Sequence, residues 1–243
     1  MDELEFIGCI NLVDSEDRTN KSKLEFSKIN ILEKVHFLNA KKHKLGGKYG
    51  CFDSHLKMYR MALDKNVNYA LIFEDDFILK NKTINESINN ALKCINKYKN
   101  FYRICLHNSG TFKYKKTPIK GVYESQFIFM RCYIISKLAM ESALKLGVTN
   151  NHIDLEYLIT WQKKKNFTIK PSLTIDRAAY STNSYNYKSK FVNALIKSRY
   201  FYILEYIWFK TCKKNLFIQY ISFNIFKDIY KSNNNCNYVK CKN

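Results

Sequence analysis

Residues 69–73 of this 243-residue chain, Tyr-Ala-Leu-Ile-Phe, form an apolar run that stops abruptly at three consecutive acids, Glu74, Asp75 and Asp76. An apolar run of this length without polar alternation belongs to a strand covered on both faces, as in parallel sheets flanked by helices. Unpaired carboxylates are too costly to keep in such a core, so the chain must surface at Glu74. Ligands in open α/β sheets gather at the carboxyl ends of the strands. Three adjacent carboxylates there repel one another and ask for a cation. Oxygen ligands without a His or Cys nearby in sequence suit Mg²⁺ or Mn²⁺. The plain alternative is a solvated acidic turn.

Strand and helix patterns alternate around that junction. A first strand is expected over 4–12, followed by a helix capped by Asp14 or Ser15 that runs to about residue 28. A second strand over 35–38 leads into a glycine loop at 45–50, after which Asp53 or Ser54 caps a helix carrying Leu56, Tyr59, Arg60 and Leu63. Beyond the acids, helices are expected over 84–98, 137–146 and 152–162, and strands over 101–106, 126–136 and 167–171. Gly147 is a normal residue to close the 137–146 helix. The alternation implies an α/β fold with a mostly parallel central sheet.

A balance of 41 basic against 21 acidic residues gives a formal charge of +20. That charge attracts nucleic acids, anionic membranes and phosphorylated small molecules alike. No helix-turn-helix, zinc-finger or RNA-recognition motif singles out nucleic acid, so no specific nucleic-acid partner is expected. The eight cysteines show no C-x-x-C pair or zinc spacing, and several sit in apolar runs where a thiol packs as a small hydrophobe. The acidic start, Met1-Asp-Glu-Leu-Glu5, is unlike a signal peptide, and no apolar stretch reaches membrane-span length. A cytoplasmic protein is expected, at most held at the cytoplasmic face of a membrane.

Composition divides the chain into a globular domain over 1–186, a basic aromatic segment over 187–231, and a tail over 232–243 expected to be disordered. Residues 187–243 hold eleven Lys or Arg against two acids, Glu205 and Asp228. Aromatic and Ile-rich stretches there read as two amphipathic helices, which serve either to pack on the domain or to lie in an anionic bilayer interface.

The segment from Gly46 to Arg60, Gly-Gly-Lys-Tyr-Gly-Cys-Phe-Asp-Ser-His-Leu-Lys-Met-Tyr-Arg, followed by the apolar strand and Glu74-Asp75-Asp76, resembles glycosyltransferase family 25, the lipopolysaccharide and collagen galactosyltransferase group. Ile10-Asn-Leu12 with Asp14, Asp17 and Arg18 is similar to the family's first strand. Tyr133-Ile-Ile-Ser136 with Ala139, the pair Ile153-Asp154, and Lys170-Pro-Ser-Leu173 with Ser181 continue the similarity in order over roughly residues 5–185. The resemblance implies a GT-A type nucleotide-binding sandwich. It also implies transfer of a hexose, most often galactose, from a UDP-sugar to a glycan, lipooligosaccharide or hydroxylated protein acceptor, with inversion. Mn²⁺ or Mg²⁺ would assist.

Residues two apart at a strand end face the same way, so Glu74 and Asp76 are the expected metal ligands, with Asp75 turned to ribose, sugar or the ligands' surroundings. His152 is a further possible metal ligand, since imidazole accepts Mn²⁺, or simply a loop residue. Inversion needs a base for the acceptor hydroxyl. Asp154 matches the family's Asp and is the candidate, with Glu156 second; both also suit a helix start merely as acids. Asn11, Asp14, Arg18, Gly50, Ser54 and His55 are expected to contact the nucleotide sugar, although Ser54 equally suits a helix cap and Gly50 a plain turn. Cys51 is expected to pack. Two other classes stay open: a glycosyltransferase-like glycan-binding protein without activity, and a basic nucleic-acid-binding module.

Overall fold

The computed structural model describes residues 4–107, 111–127, 130–149, 152–161 and 163–176. The chain divides into two units, 1–181 and 182–243. The helices expected in 187–231 and the tail at 232–243 lie outside the described residues.

Ten strands and five α-helices make up the described part. Strands β1 (Ile7–Leu12) and β2 (Val35–Ala40) are separated by helix α1 (Glu16–Ser27). Helix α2 (Gly47–Asp64) precedes β3 (Tyr69–Glu74), and β4 (Phe77–Leu79) follows the acids. Next come α3 (Ile84–Lys97), β5 (Arg103–Cys105), β6 (Thr111–Lys116), β7 (Val122–Phe127) and β8 (Cys132–Ser136). The order ends with α4 (Lys137–Leu146), α5 (Ile153–Thr160), β9 (Asn166–Ile169) and β10 (Thr174–Asp176).

Eight strands form one sheet in the order β2-β1-β3-β8-β5-β9-β7-β6, while β4 and β10 pair separately. The pairings make six of the eight run in one direction and only β8 and β7 in the other. The sheet is thus mostly parallel, as expected. Strand β3 lies between β1 and β8, and its alternate residues serve two cores. Leu71 and Phe73 join Phe26 of α1 and Ile88, Ala91 and Ile95 of α3. Ala70 and Ile72 join Phe52, Leu56 and Tyr59 of α2, Met140 of α4 and Tyr157 of α5. Helices cover both faces, which is why the run 69–73 has no polar alternation.

The structure corrects three expectations. Residues 47–50 are the first turn of α2 rather than a loop, because Gly46 turns the chain at φ 99°. Asp53 and Ser54 are therefore interior helix residues, and Ser54 Oγ donates back to the Gly50 carbonyl at 2.6 Å instead of capping. The expected strand over 126–136 is two strands, the end of β7 and the separate β8. Strand β6, Thr-Phe-Lys-Tyr-Lys-Lys, has no counterpart among the expected elements because it is an edge strand, where lysines discourage further pairing. No disulfide joins the described cysteines, and no described helix is long and apolar enough to cross a membrane.

Candidate active site

Strands β1, β2 and β3 are parallel, so their carboxyl ends open at one edge of the sheet. Ile10 is in register with Glu74, which carries Asn11 and Leu12 past the end of β3 to flank the acids. The turn Glu74-Asp75-Asp76 then leaves the sheet toward β4. Its first residue is anchored across the sheet, the Glu74 amide donating to the Arg131 carbonyl at 2.9 Å.

The three acids have different surroundings. Asp75 is buried, pairs with the Arg18 guanidinium, and accepts the Leu12 amide at 3.3 Å. Ser22 Oγ donates to the Asp75 carbonyl at 3.2 Å, so α1 is fastened to the turn. Burial raises the Asp75 pKa, and the Arg18 charge and Leu12 amide oppose that rise without cancelling it. Arg18 and Asp75, both expected at the nucleotide sugar, thus engage each other.

Glu74 keeps a partly exposed carboxylate. His55 Nε2 lies 3.1 Å from Glu74 Oε1, and Cys51 Sγ stands 3.9 Å from the same oxygen. Burial pushes the Glu74 pKa up, but the His55 hydrogen bond and charge, together with Arg131 and Arg18, outweigh it and leave the pKa below the ordinary value. Behind His55, Nδ1 meets the Tyr133 hydroxyl at 2.7 Å, and Tyr133 meets the Tyr59 hydroxyl at 2.7 Å. His55 is buried, with the sheet side of α2 facing Glu74.

Asp76 approaches Arg131, with Oδ2 3.5 Å from Nε. Its other oxygen, Oδ1, is buried with no hydrogen-bond partner. Burial first, then the Glu74 charge, raises the Asp76 pKa against the pull of Arg131 and Arg18. Asp154, in the first turn of α5, also has a buried Oδ1 without a partner. Burial and the Glu74 charge hold its pKa well above the usual carboxylate value, opposed by Arg103, Arg131 and the Met130 backbone. The fold thus brings Glu74, Asp76 and Asp154 into one electrostatic group. Their repulsion and the orphaned oxygens of Asp76 and Asp154 fit a hard divalent cation, which needs only one or two protein carboxylates when a diphosphate and water supply the rest.

The other expected residues have surroundings of their own. Glu156, two positions after Asp154 on α5 and so on another side of it, accepts Thr149 Oγ1 at 2.8 Å and Thr160 Oγ1 at 3.1 Å. His152 occupies the N-cap position of α5, and burial together with the Lys48 charge lowers its pKa. Among the described residues, the donors gathered within 4.8 Å of one another are Cys51, His55 and Glu74, without His152. Asn11 is fully buried, its Oδ1 accepting from Cys9 Sγ at 3.0 Å and its Nδ2 lacking a partner. Asp14 is exposed and pairs with Lys42 at 3.0 Å. Gly50 packs on His43, where a Cβ would stand 3.1 Å from the His43 Cβ. Ser54 lines a cavity of about 630 Å³ with Lys41, Lys42, His43, Lys44 and Lys57, between the end of β2 and α2. Its lysines favour an anion.

Three members of this neighbourhood are absent from the sequence-based expectations. Arg131 has no local signal, because only the β3–β8 pairing brings it to the acids. His107 follows β5 at its carboxyl end, a position that could have marked it. It is buried, 2.9 Å from Thr174 Oγ1, and burial and the Arg131 charge lower its pKa to about 4 against the opposing charges of Asp76 and Glu74. Arg103 is fully buried, its guanidinium 4.4 Å from the Phe127 ring centre and 5.2 Å from that of Trp161.

Comparison with known proteins adds to this geometry. A family model described as glycosyltransferase family 25 (LPS biosynthesis protein) matches residues 5–154. Curated proteins contain no matching sequence. Among solved structures, a glycosyltransferase involved in the glycosylation of the major capsid of PBCV-1 aligns with a TM-score of 0.50 at 10% identity, covering 72% of this chain and 94% of that one. That likeness is one of fold. UDP-glucose pyrophosphorylase complexed with UDP-glucose aligns with a TM-score of 0.43 at 15% identity, over 79% of this chain and 82% of that one. Mannose-1-phosphate geranyltransferase from Thermus thermophilus aligns at 0.45 and 6% identity, over 71% and 74%.

Proposed function

This chain belongs to glycosyltransferase family 25, and on that premise we propose that it moves a hexose, galactose first among candidates, from a UDP-sugar to a hydroxyl of a glycan or lipid-linked acceptor with inversion. The observation that carries the reading is the convergence of Glu74, Asp76 and Asp154 at the open ends of parallel strands, with buried oxygens of two of them unpartnered.

Glu74 and Asp76 would hold a Mn²⁺ or Mg²⁺ ion, with Asp76 Oδ1 as the principal donor. When bound, such an ion supplies Lewis-acid stabilisation to the departing diphosphate. Arg131, beside Asp76, adds a fixed positive charge at the same place. The Asp75–Arg18 pair and the Ser22 hydrogen bond hold the turn so that its neighbours keep their aim. Asp154 takes the acceptor hydroxyl proton as the hydroxyl attacks from the face opposite the leaving group. Its elevated pKa makes the ionised carboxylate a stronger base than an ordinary aspartate. The basic aromatic composition of residues 187–231 supports association with an anionic membrane surface carrying a lipid-linked acceptor.

The test is UDP release from a set of UDP-hexoses, UDP-galactose first, with and without Mn²⁺. Absence of Mn²⁺-dependent release from every sugar, together with no thermal shift on adding UDP, overturns the reading.

A further inference from the structure

The side chains gathered most closely around Glu74 are a thiol and an imidazole, which a hard-cation site does not require. Cys51 and His55 are one helical turn apart on α2 and share a face, and that face meets the end of β3. Cys51 Sγ and His55 Nε2 stand 3.9 and 3.1 Å from Glu74 Oε1, and the three donor atoms lie within 4.8 Å of one another. Zinc bonds of about 2.0–2.3 Å in a tetrahedron separate neighbouring ligand atoms by roughly 3.3–3.8 Å. Small side-chain movements therefore suffice to close the three donors on one ion.

We propose that Cys51, His55 and Glu74 form a site for a thiophilic divalent cation of the Zn²⁺ type. A thiolate, a carboxylate and a neutral imidazole cancel the ion's charge, so the complex carries no net charge in a partly buried place. Thiolate and imidazole also favour Zn²⁺ or Co²⁺ over Mg²⁺ and Mn²⁺. The His55–Tyr133–Tyr59 hydrogen bonds orient the ring from behind, the kind of support that metal-bound histidines have. Three protein ligands leave a fourth position for water. On binding, the Cys51 thiol gives its proton to solvent. The His55 Nε2 proton also leaves to solvent, so that the imidazole binds as a neutral ligand with its Nδ1–H donated to the Tyr133 hydroxyl. No electron is transferred. The site stands on these donors alone and not on the transfer reaction.

Full-length protein stripped of metal is titrated with Co²⁺. A thiolate-to-cobalt charge-transfer band in the near ultraviolet is expected, removed by Zn²⁺ and insensitive to Mg²⁺. Cys51→Ser should abolish the band and weaken Zn²⁺ binding by more than tenfold, and Tyr133→Phe, which keeps all three ligands, should weaken it by about tenfold. Should Cys51→Ser fail to fold, Glu74→Gln replaces it, with the band retained and Zn²⁺ affinity reduced. No cobalt–thiolate band in the parent protein, or Cys51→Ser and Glu74→Gln binding Zn²⁺ as tightly as the parent, overturns the site.

Discussion

Arg131 points its Nε at Asp76 Oδ2 across 3.5 Å while its carbonyl accepts the Glu74 amide at 2.9 Å. One residue just ahead of β8 thus engages both ends of the acidic triplet. The antiparallel pairing of β3 with β8 makes this possible. A cation is thereby built in beside carboxylates that would otherwise repel one another without relief.

Asp76 holds the orphaned oxygen, so its replacement separates function from stability. Asp76→Asn should lower turnover by about 10²–10³-fold, the scale of losing one preorganised electrostatic group. Its melting temperature should equal or exceed that of the parent, because a buried, unfavourably charged carboxylate is gone. Measured UDP release and thermal melts check both halves.

Asp154→Asn should reduce kcat by about 10²–10⁴-fold, the usual contribution of a positioned base, with the donor KM nearly unchanged. The same variant tests a stability slope. The folded pKa of Asp154 lies well above its unfolded value of 3.8, so the folded state binds the proton more tightly. Stability from this group is fully present below 3.8 and is lost as pH rises through the folded pKa. Denaturant melts from pH 3.8 upward should show a smaller decline in the Asn variant.

Arg103 holds down the Asp154 pKa from within an aromatic cage of Phe127, Tyr157 and Trp161. Arg103→Met keeps most of the volume and removes the charge. The Asp154 pKa should then rise further, moving the acid limb of the pH–rate profile to higher pH. An unmoved limb with an intact fold would show that Asp154 is not the base.

His107 has its folded pKa depressed from 6.5 to about 4. Between those values the unfolded chain binds more protons, so stability present above 6.5 is lost as pH falls toward 4. The shift corresponds to about 3 kcal/mol in all. His107→Asn, which retains a polar partner for Thr174, should flatten this part of the pH–stability curve in urea melts.

The basic segment gives a prediction independent of the site. Deleting residues 190–243 should abolish co-sedimentation with liposomes rich in anionic lipid, and raising the salt should weaken sedimentation of the intact chain. Equal sedimentation of the truncated and intact proteins would remove the membrane association.

Some elements are legible because their causes are local. Helix α4 runs from Lys137 to Leu146 as expected, since the Ser136 hydroxyl accepts the Ala139 amide at one end and Gly147 takes φ 69° at the other. The start of α2 is not legible in this way, because Asp53 and Ser54, polar residues inside the helix, look like caps. Only the backbone shows that Gly46 has already made the turn. The hairpin of β6 and β7 escapes pattern reading because an exposed edge strand needs no apolar alternation.

The sequence alone determined that Glu74, Asp75 and Asp76 end a strand buried on both sides, because unpaired carboxylates cannot continue its apolar core. Only the tertiary structure decided that Asp75 is taken by Arg18, that Cys51 and His55 face Glu74, and that Asp154, Arg131 and His107 complete the neighbourhood. Parallel strands need long crossovers, so residues far apart in the chain meet at one sheet edge. Their side-chain directions follow from helix packing, which no local pattern encodes.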